Sequence, residues 1–248
     1  MTKTETATRI RERIEKILGA SASFGVPIKF NPAAWRGNLE FRLAKPSKVK
    51  PQKHHPAMPH RLLQEFWIEL ENKNTDGSRA LQLIILTAAR TSEILLAKRA
   101  EIDLTENIWT IPAERVKTKR QHILPLTKQM RAIIEYQLAR HSSDLLFPGA
   151  RYGKPISNMV CLKVMRDLGY INTKGGISKG HYVPHGFRAT FSTWAFESGS
   201  YGFEVIESCL GHHTGNSVHR AYQRSTLLAR RKELLNDWNE FVIGPDQL

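Results

Sequence analysis

Apolar positions recur at helical spacing through most of this chain and alternate with polar ones over one short stretch. Residues 4–18 place Ile10, Ile14, Ile17 and Leu18 in one stripe, which predicts an amphipathic helix. A second short helical piece is expected after Pro32, with Trp35, Leu39, Phe41 and Leu43 available for packing. Two short helices bury little core alone, so this opening segment reads as the end of a helical domain or as a small appendage. From residue 60 onward the periodic segments follow closely and predict one compact domain. Helices are expected at 60–73, 77–88, 91–98, 127–140, 157–168, 185–198, 203–210, 216–223 and 226–242. Met130, Ile133, Ile134 and Leu138 keep helical spacing in one of them, and Leu227, Leu234, Leu235, Trp238 and Phe241 share a face of the last. The runs EIDL, IWTIP and HILPL, within residues 101–126, are β-like and separated by polar turns. The predicted class is therefore mainly α with a small antiparallel β-sheet (α+β).

Residues 45–61 break this pattern. Prolines interrupt helix and strand alike, and Lys45, Lys48, Lys50, Lys53 and Arg61 carry positive charge with no acid among them. The stretch reads either as a solvated linker or as a linker lying along a phosphate backbone. The expected organisation is a helical segment over 1–45, a basic Pro-rich linker over 46–58 and a larger domain over 59–248.

Charge narrows the choice of partner. The chain of 248 residues has 37 Lys+Arg against 23 Asp+Glu, a formal charge of +14. A balance this basic favours a polyanion, with nucleic acid ahead of an acidic membrane surface. No strongly basic amphipathic helix with an aromatic face supports the membrane option. The longest apolar run, Leu81 to Ala89, contains Gln82 and ends at an arginine, well short of a membrane span. The N-terminus lacks the apolar core of a signal peptide. Cys161 and Cys209 form neither a disulfide framework nor a metal pattern, so a reducing cytoplasm is expected.

Six residues carry candidate chemistry. Arg90 lies just beyond an apolar helix, with Thr91 as the expected N-cap and Glu93 as a carboxylate able to support a buried guanidinium. The structural alternative is a simple ion pair at a helix junction. Lys117 falls in the turn between two predicted strands, where Lys119 and Arg120 compete for any role. In HGFR, His185 and Arg188 are three apart, so one helix face presents both to a single phosphate. In CLGHHTG, Gly211 is expected to end a helix before His212. Tyr222 sits among His219, Arg220 and Arg224, where positive charge favours the phenolate. The paired histidines His212–His213 and His54–His55 lack a surrounding Cys or acidic cluster, so no metal is expected.

In order, the pattern is arginine, lysine, HxxR, LGH and tyrosine. It resembles the tyrosine recombinases, the phage-integrase family. ERVKTKRQHILPLT, HGFRATFSTWA and RAYQRSTLLARRKELLNDW look most like the satellite-phage subfamily that integrates genomic islands. The resemblance spans roughly residues 58–245 and rests on several motifs in order, which makes it far more specific than any one of them. ETATRIRERIEKILGA and NPAAWRGNL resemble the end of the family's helical core-binding domain. The family has a whole core-binding domain and an arm-site domain upstream, and neither is complete in this sequence.

The resemblance implies a tyrosine-recombinase catalytic domain and site-specific recombination of a mobile element, by integration or excision. Tyr222 would attack the scissile phosphate and form a 3′-phosphotyrosyl bond. Arg90 and Arg188 would stabilise the pentavalent phosphate, with Glu93 supporting Arg90. Lys117 would protonate the departing 5′-oxygen, His185 would assist proton transfer at the nucleophile, and His212 would donate to a phosphate oxygen. Lys48, Lys50, Lys53, Lys119 and Arg120 are the candidate contacts to the DNA backbone. No cofactor is required, because the covalent link keeps the phosphodiester energy. The implied partners are duplex DNA at attachment-site core sequences, other copies of the chain in a tetramer, and accessory DNA-bending or excision proteins. The implied setting is the nucleoid of a bacterial cytoplasm. The C-terminal segment, 226–242, is amphipathic enough either to pack on a neighbouring protomer or to dock on its own domain. A non-catalytic DNA-binding module and a type IB topoisomerase are the competing readings.

Overall fold

The computed structural model describes residues 3–26, 28–49, 55–172, 178–212 and 224–244. The expected helix over 216–223, together with Lys50, Lys53, His54, His213 and Tyr222, lies outside them. The chain divides into two units, Met1–His54 and His55–Leu248.

In the first unit, α1 spans Thr4–Ala20, as the Ile stripe predicts. The stripe is uncovered: Ile10, Ile14 and Ile17 are exposed, and so is Phe41 among the residues expected to pack. The residues after Pro32 form turns and a short 3-10 helix at Leu39–Phe41. Ala33 is the single buried residue among those described in this unit. Polar contacts hold it instead. Arg11 Nη1 bonds Glu15 Oε2 at 2.5 Å and the Ala33 carbonyl at 2.9 Å, and the Trp35 N–H donates to Glu15 Oε1 at 3.1 Å. The linker prolines do not exclude helix entirely. Pro46–Val49 forms a single turn, α2, with Pro46 at the first helical position, where its missing N–H is not needed.

In the second unit, α3 spans Leu63–Glu71, α4 Asp76–Thr87 and α5 Thr91–Leu95. Strands β1 (Ile102–Asp103), β2 (Ile108–Ile111) and β3 (His122–Pro125) form one antiparallel sheet in sequence order. Its register pairs Ile102 with Trp109 and Ile111 with His122. Then follow α6 (Lys128–Arg140), α7 (Met159–Asp167), α8 (Phe187–Glu197), α9 (Phe203–Cys209) and α10 (Arg224–Ile243). The mainly helical class with a small antiparallel sheet is what the pattern predicts. Among the described residues no helix is long and apolar enough to cross a membrane.

Helix α4 is the axis of this unit, packed against α3, α5, α6, α7, α8 and α10. Every residue from Ala80 to Leu86 is buried, which explains why this segment reads as the longest apolar run. Thr75 starts it by accepting from the Ser78 N–H at 3.0 Å. Helix α10 docks on its own unit rather than projecting from it. It packs against α9, α3, α4, α8 and β3, and Leu234, Leu235 and Trp238 are fully buried. Trp238 packs against Phe191, Trp194 and Phe241 and donates its indole N–H to the Ile85 carbonyl at 2.8 Å.

Trp238→Ala removes that ring and one of two hydrogen bonds to the Ile85 carbonyl, which keeps the Ala88 N–H at 3.3 Å. A loss of about 3–5 kcal/mol in unfolding free energy is expected, read by urea denaturation of the full chain.

Candidate active site

Three helix ends meet at one point of the second unit: the C-termini of α4 and α9 and the N-terminus of α8. The last carbonyls of a helix have no partner within it and carry partial negative charge. Arg188, in the first turn of α8, fills that position. Its Nη1 donates to the Ala88 carbonyl at 2.6 Å and its Nη2 to the Leu210 carbonyl at 2.7 Å. Ala88 adopts left-handed backbone, φ 51°, an uncommon conformation for a residue with a Cβ, and its carbonyl is the one that meets Arg188. The Arg188 side chain is buried, and burial followed by repulsion from Arg90 pulls its pKa down to about 10. It remains a cation at neutral pH, and the influence of Arg90 puts the two guanidinium groups in one electrostatic environment.

Arg188 Nη2 also lies 3.1 Å from His212 Nε2. Arginine only donates, so this His212 nitrogen accepts and Nδ1 holds the ring proton. That proton points to Glu207 Oε2 at 2.8 Å, one turn back along α9. Gly211, at φ +65°, ends α9 as the sequence predicts and turns the chain to present His212.

Arg90 is itself the N-cap residue of α5, one position before the expected Thr91. The carboxylate of Glu93 does the capping. Glu93 Oε2 accepts from the Arg90 N–H at 3.0 Å and Oε1 accepts from Arg90 Nη1 at 2.8 Å, so one acid fixes both backbone and side chain. Glu93 is fully buried. Burial opposes its ionisation, but His122 and Arg90 overcome that penalty and hold its pKa down to about 2.

His122 extends this arrangement below the surface and was not singled out in the sequence, where HILPL reads as an apolar strand. It is buried, and its Nε2 accepts from Arg231 Nη2 of α10 at 3.2 Å. The other ring nitrogen therefore carries the proton and faces Glu93 Oε2 at 3.9 Å, an electrostatic contact rather than a hydrogen bond. Burial lowers the proton affinity of His122; Glu93 raises it, Arg231 and Arg188 lower it further, and the net shift is downward. A Cβ at Gly211 would stand 3.1 Å from this imidazole, so glycine there serves packing as well as the turn. Arg115 is a second residue that the sequence reading missed. Its Nη2 donates to the Glu93 carbonyl and its Nη1 lies 3.0 Å from Glu101 Oε1, which ties the β2–β3 turn to α5.

Lys117 sits exposed in that turn, two residues past Arg115, with Lys119 and Arg120 exposed beside it. His185 lies in the 3-10 turn Pro184–Gly186 that leads into α8, rather than in the α-helix itself. Burial lowers its proton affinity, reinforced by His55, Arg188, Arg90 and Lys117. Arg90, Lys117, His185, Arg188 and His212 thus fall in one cationic neighbourhood, while Lys48 belongs to the first unit and Tyr222 lies outside the described residues. Among the described residues no group of three His, Cys, Asp or Glu side chains is arranged to hold a metal ion. Both cysteines are buried, and burial pushes the Cys161 thiol up to about 12.

A folded pKa near 2 makes Glu93 a source of stability that is complete above the ordinary carboxylate range and disappears as the pH falls through the folded value. The stability gap between the wild type and Glu93→Gln should be on the order of 3 kcal/mol at pH 6. It should close between about pH 4.5 and 2, as urea denaturation at stepped pH would show.

Comparison with known proteins agrees with this architecture. Residues 60–227 match the model described as "Phage integrase family". The prophage integrase IntZ of Escherichia coli K12 is 30% identical over 243 residues, covering 97% of this chain and 56% of that protein. The integrase of Enterobacteria phage P4 is 28% identical, over 97% of this chain and 55% of its own length. The chain thus spans about half the length of these relatives. Among solved structures, a lambda integrase tetramer bound to a Holliday junction superposes with a TM-score of 0.59 at 15% identity, over 88% of this chain and 59% of that one. The integrase from mycobacterium phage Brujita gives 0.56 at 18% identity, over 94% and 72%. These two likenesses speak to the fold, and the family match covers most of the second unit: the chain belongs to the phage integrase family.

Proposed function

We propose that this protein is a site-specific DNA strand transferase that cuts and rejoins duplex DNA through a 3′-phosphotyrosyl intermediate. The observation that carries this reading is the fixed Arg188 guanidinium, held by carbonyls from two helix ends, with Arg90 in its electrostatic range and His212 in contact. Two preorganised cations suit a phosphorane, whose negative charge grows along the displacement, better than they suit a ground-state phosphodiester.

In the cleavage step, Tyr222 Oη attacks phosphorus as the P–O5′ bond breaks in line. His185 is a ready acceptor for the phenol proton, because burial and its cationic neighbours keep the imidazole neutral. Lys117 gives a proton to the departing 5′-oxygen. Arg90 and Arg188 neutralise the non-bridging oxygens. When phosphate enters, Arg188 Nη2 shares its hydrogen bonds with a phosphate oxygen, and a protonated His212, supported by Glu207, donates to the same group. Attack by a free 5′-hydroxyl reverses the sequence and restores the phosphodiester, so no nucleotide is consumed.

The first unit is read as the end of a helical core-binding domain, and the basic stretch 46–58 as a linker tracking the phosphate backbone through Lys48, Lys50 and Lys53. Lys119 and Arg120 extend the contact from the β2–β3 turn. The DNA-bound tetramer of the lambda integrase structure supports a tetramer of this chain on attachment-site duplexes. A cytoplasmic setting and accessory DNA-bending or excision proteins are part of the proposal and rest on the family resemblance alone.

The test is a suicide substrate, nicked or carrying a phosphorothiolate, built on the native junction DNA. Wild type should form a covalent adduct, and Tyr222→Phe should form none while binding DNA as tightly. Arg188→Ala should slow adduct formation by at least roughly a hundredfold. An adduct that persists in Tyr222→Phe would overturn the assignment. Binding should weaken steeply with salt, since affinity for duplex DNA falls as displaced counterions accumulate.

A further inference from the structure

Nothing in the proposed chemistry uses His55, yet the structure places it, exposed, against His185. The backbone that follows it is pinned to the start of α8. The Val183 N–H donates to the Pro56 carbonyl at 3.3 Å, and Thr190 Oγ1 donates to the Met58 carbonyl at 2.7 Å. Met58 itself is buried. Gly186 shows how close this approach is: a Cβ there would lie 2.1 Å from the Pro56 carbonyl oxygen and 3.0 Å from Ala57 Cα. Only a residue without a side chain lets the two backbones meet. The chain then places His55 against His185, with ring centroids 4.6 Å apart and an interplanar angle of 69°, an edge-to-face contact. Among the described residues no hydrogen bond holds the His185 imidazole, and His55 is the ring in contact with it.

We propose that His55 is a positioning residue for strand cleavage: its ring holds the His185 imidazole in the orientation from which it exchanges a proton beside the scissile phosphate. This rests on the role given to His185 above. The groups that face His185 are His55 from the segment before Pro56, Arg188 from α8, Arg90 from the start of α5 and Lys117 from the β2–β3 turn. All four oppose a proton on His185, which is itself exposed. Removing His55 therefore both frees the His185 ring and raises its proton affinity.

The experiment compares wild type, His55→Ala and His55→Phe as full chains. Single-turnover adduct formation on the suicide substrate should slow roughly ten- to a hundredfold in His55→Ala. DNA affinity and thermal midpoint should stay at wild-type values, and His55→Phe, which restores a ring, should recover most of the rate. In parallel, NMR of ¹³C-labelled histidine, with the His185 signal assigned from His185→Gln, should show His185 titrating at higher pH in His55→Ala. An unchanged rate in His55→Ala overturns the proposal, and so does a loss of rate matched by an equal loss of DNA affinity. If wild type forms no adduct, the strand-transferase reading fails separately. The NMR titration then decides the contact: an unmoved His185 signal overturns it, and an upward shift sustains it.

Discussion

A buried guanidinium is stable only when fixed acceptors replace the water it has lost, and the site depends on how Arg188 meets that requirement. Its acceptors are the carbonyls of Ala88 and Leu210, the terminal groups of two helices that would otherwise be unsatisfied. The arrangement solves two problems at once. Helix ends gain a donor and the charge gains partners, so among the described residues the guanidinium is held without an acid paired directly to it. A carboxylate in that position would cancel the positive field that a phosphate needs. The left-handed Ala88 belongs to the same solution, because its backbone carries the carbonyl that Arg188 reaches.

Acids nonetheless surround the site, and three of them sit behind hydrogen-bond donors. Glu93 lies under Arg90, Glu207 behind His212 and Glu101 beside Arg115. Each carboxylate orients a donor. His122 joins the first of these pairs to α10 through Arg231, so the floor of the site is continuous with the helix that follows Tyr222 in sequence. The docking of α10 onto its own unit through Trp238 therefore also positions Arg231 under His122. Packing and polar contacts are coupled there: the same helix fills the core with its apolar face and completes the charge network with a polar residue.

Much of this was readable from the chain. The helix over 77–88 was legible from its apolar positions, but that it is the axis of the unit was not, since the run 81–89 shows burial without showing what covers it. Glu93 was legible as support for Arg90, since a carboxylate three residues past an arginine at a helix start can reach its guanidinium. His122 was not legible, because one histidine in an apolar strand looks the same whether it is packing or part of a network. Arg231 and Glu207 were equally hidden, as ordinary charged residues on amphipathic helices. In the sequence His55 reads only as one of a histidine pair with no metal pattern around it, and its contact with His185 depends on a backbone approach that only Gly186 permits. The expected packing of Phe41 failed for a different reason: the first unit contains too few apolar elements to cover it.

The sequence by itself determined the class, the order of the elements and the identity of the candidate chemical groups, because periodicity, charge and motif order are properties of the chain alone. It also determined the family, through motifs that keep their order over most of its length. Tertiary structure decided which nitrogen of His212 and of His122 carries its proton, which carbonyls hold Arg188, and where α10 docks. Those outcomes turn on distances of a few ångströms between residues as much as 100 or more positions apart, and local sequence pattern holds no information about them.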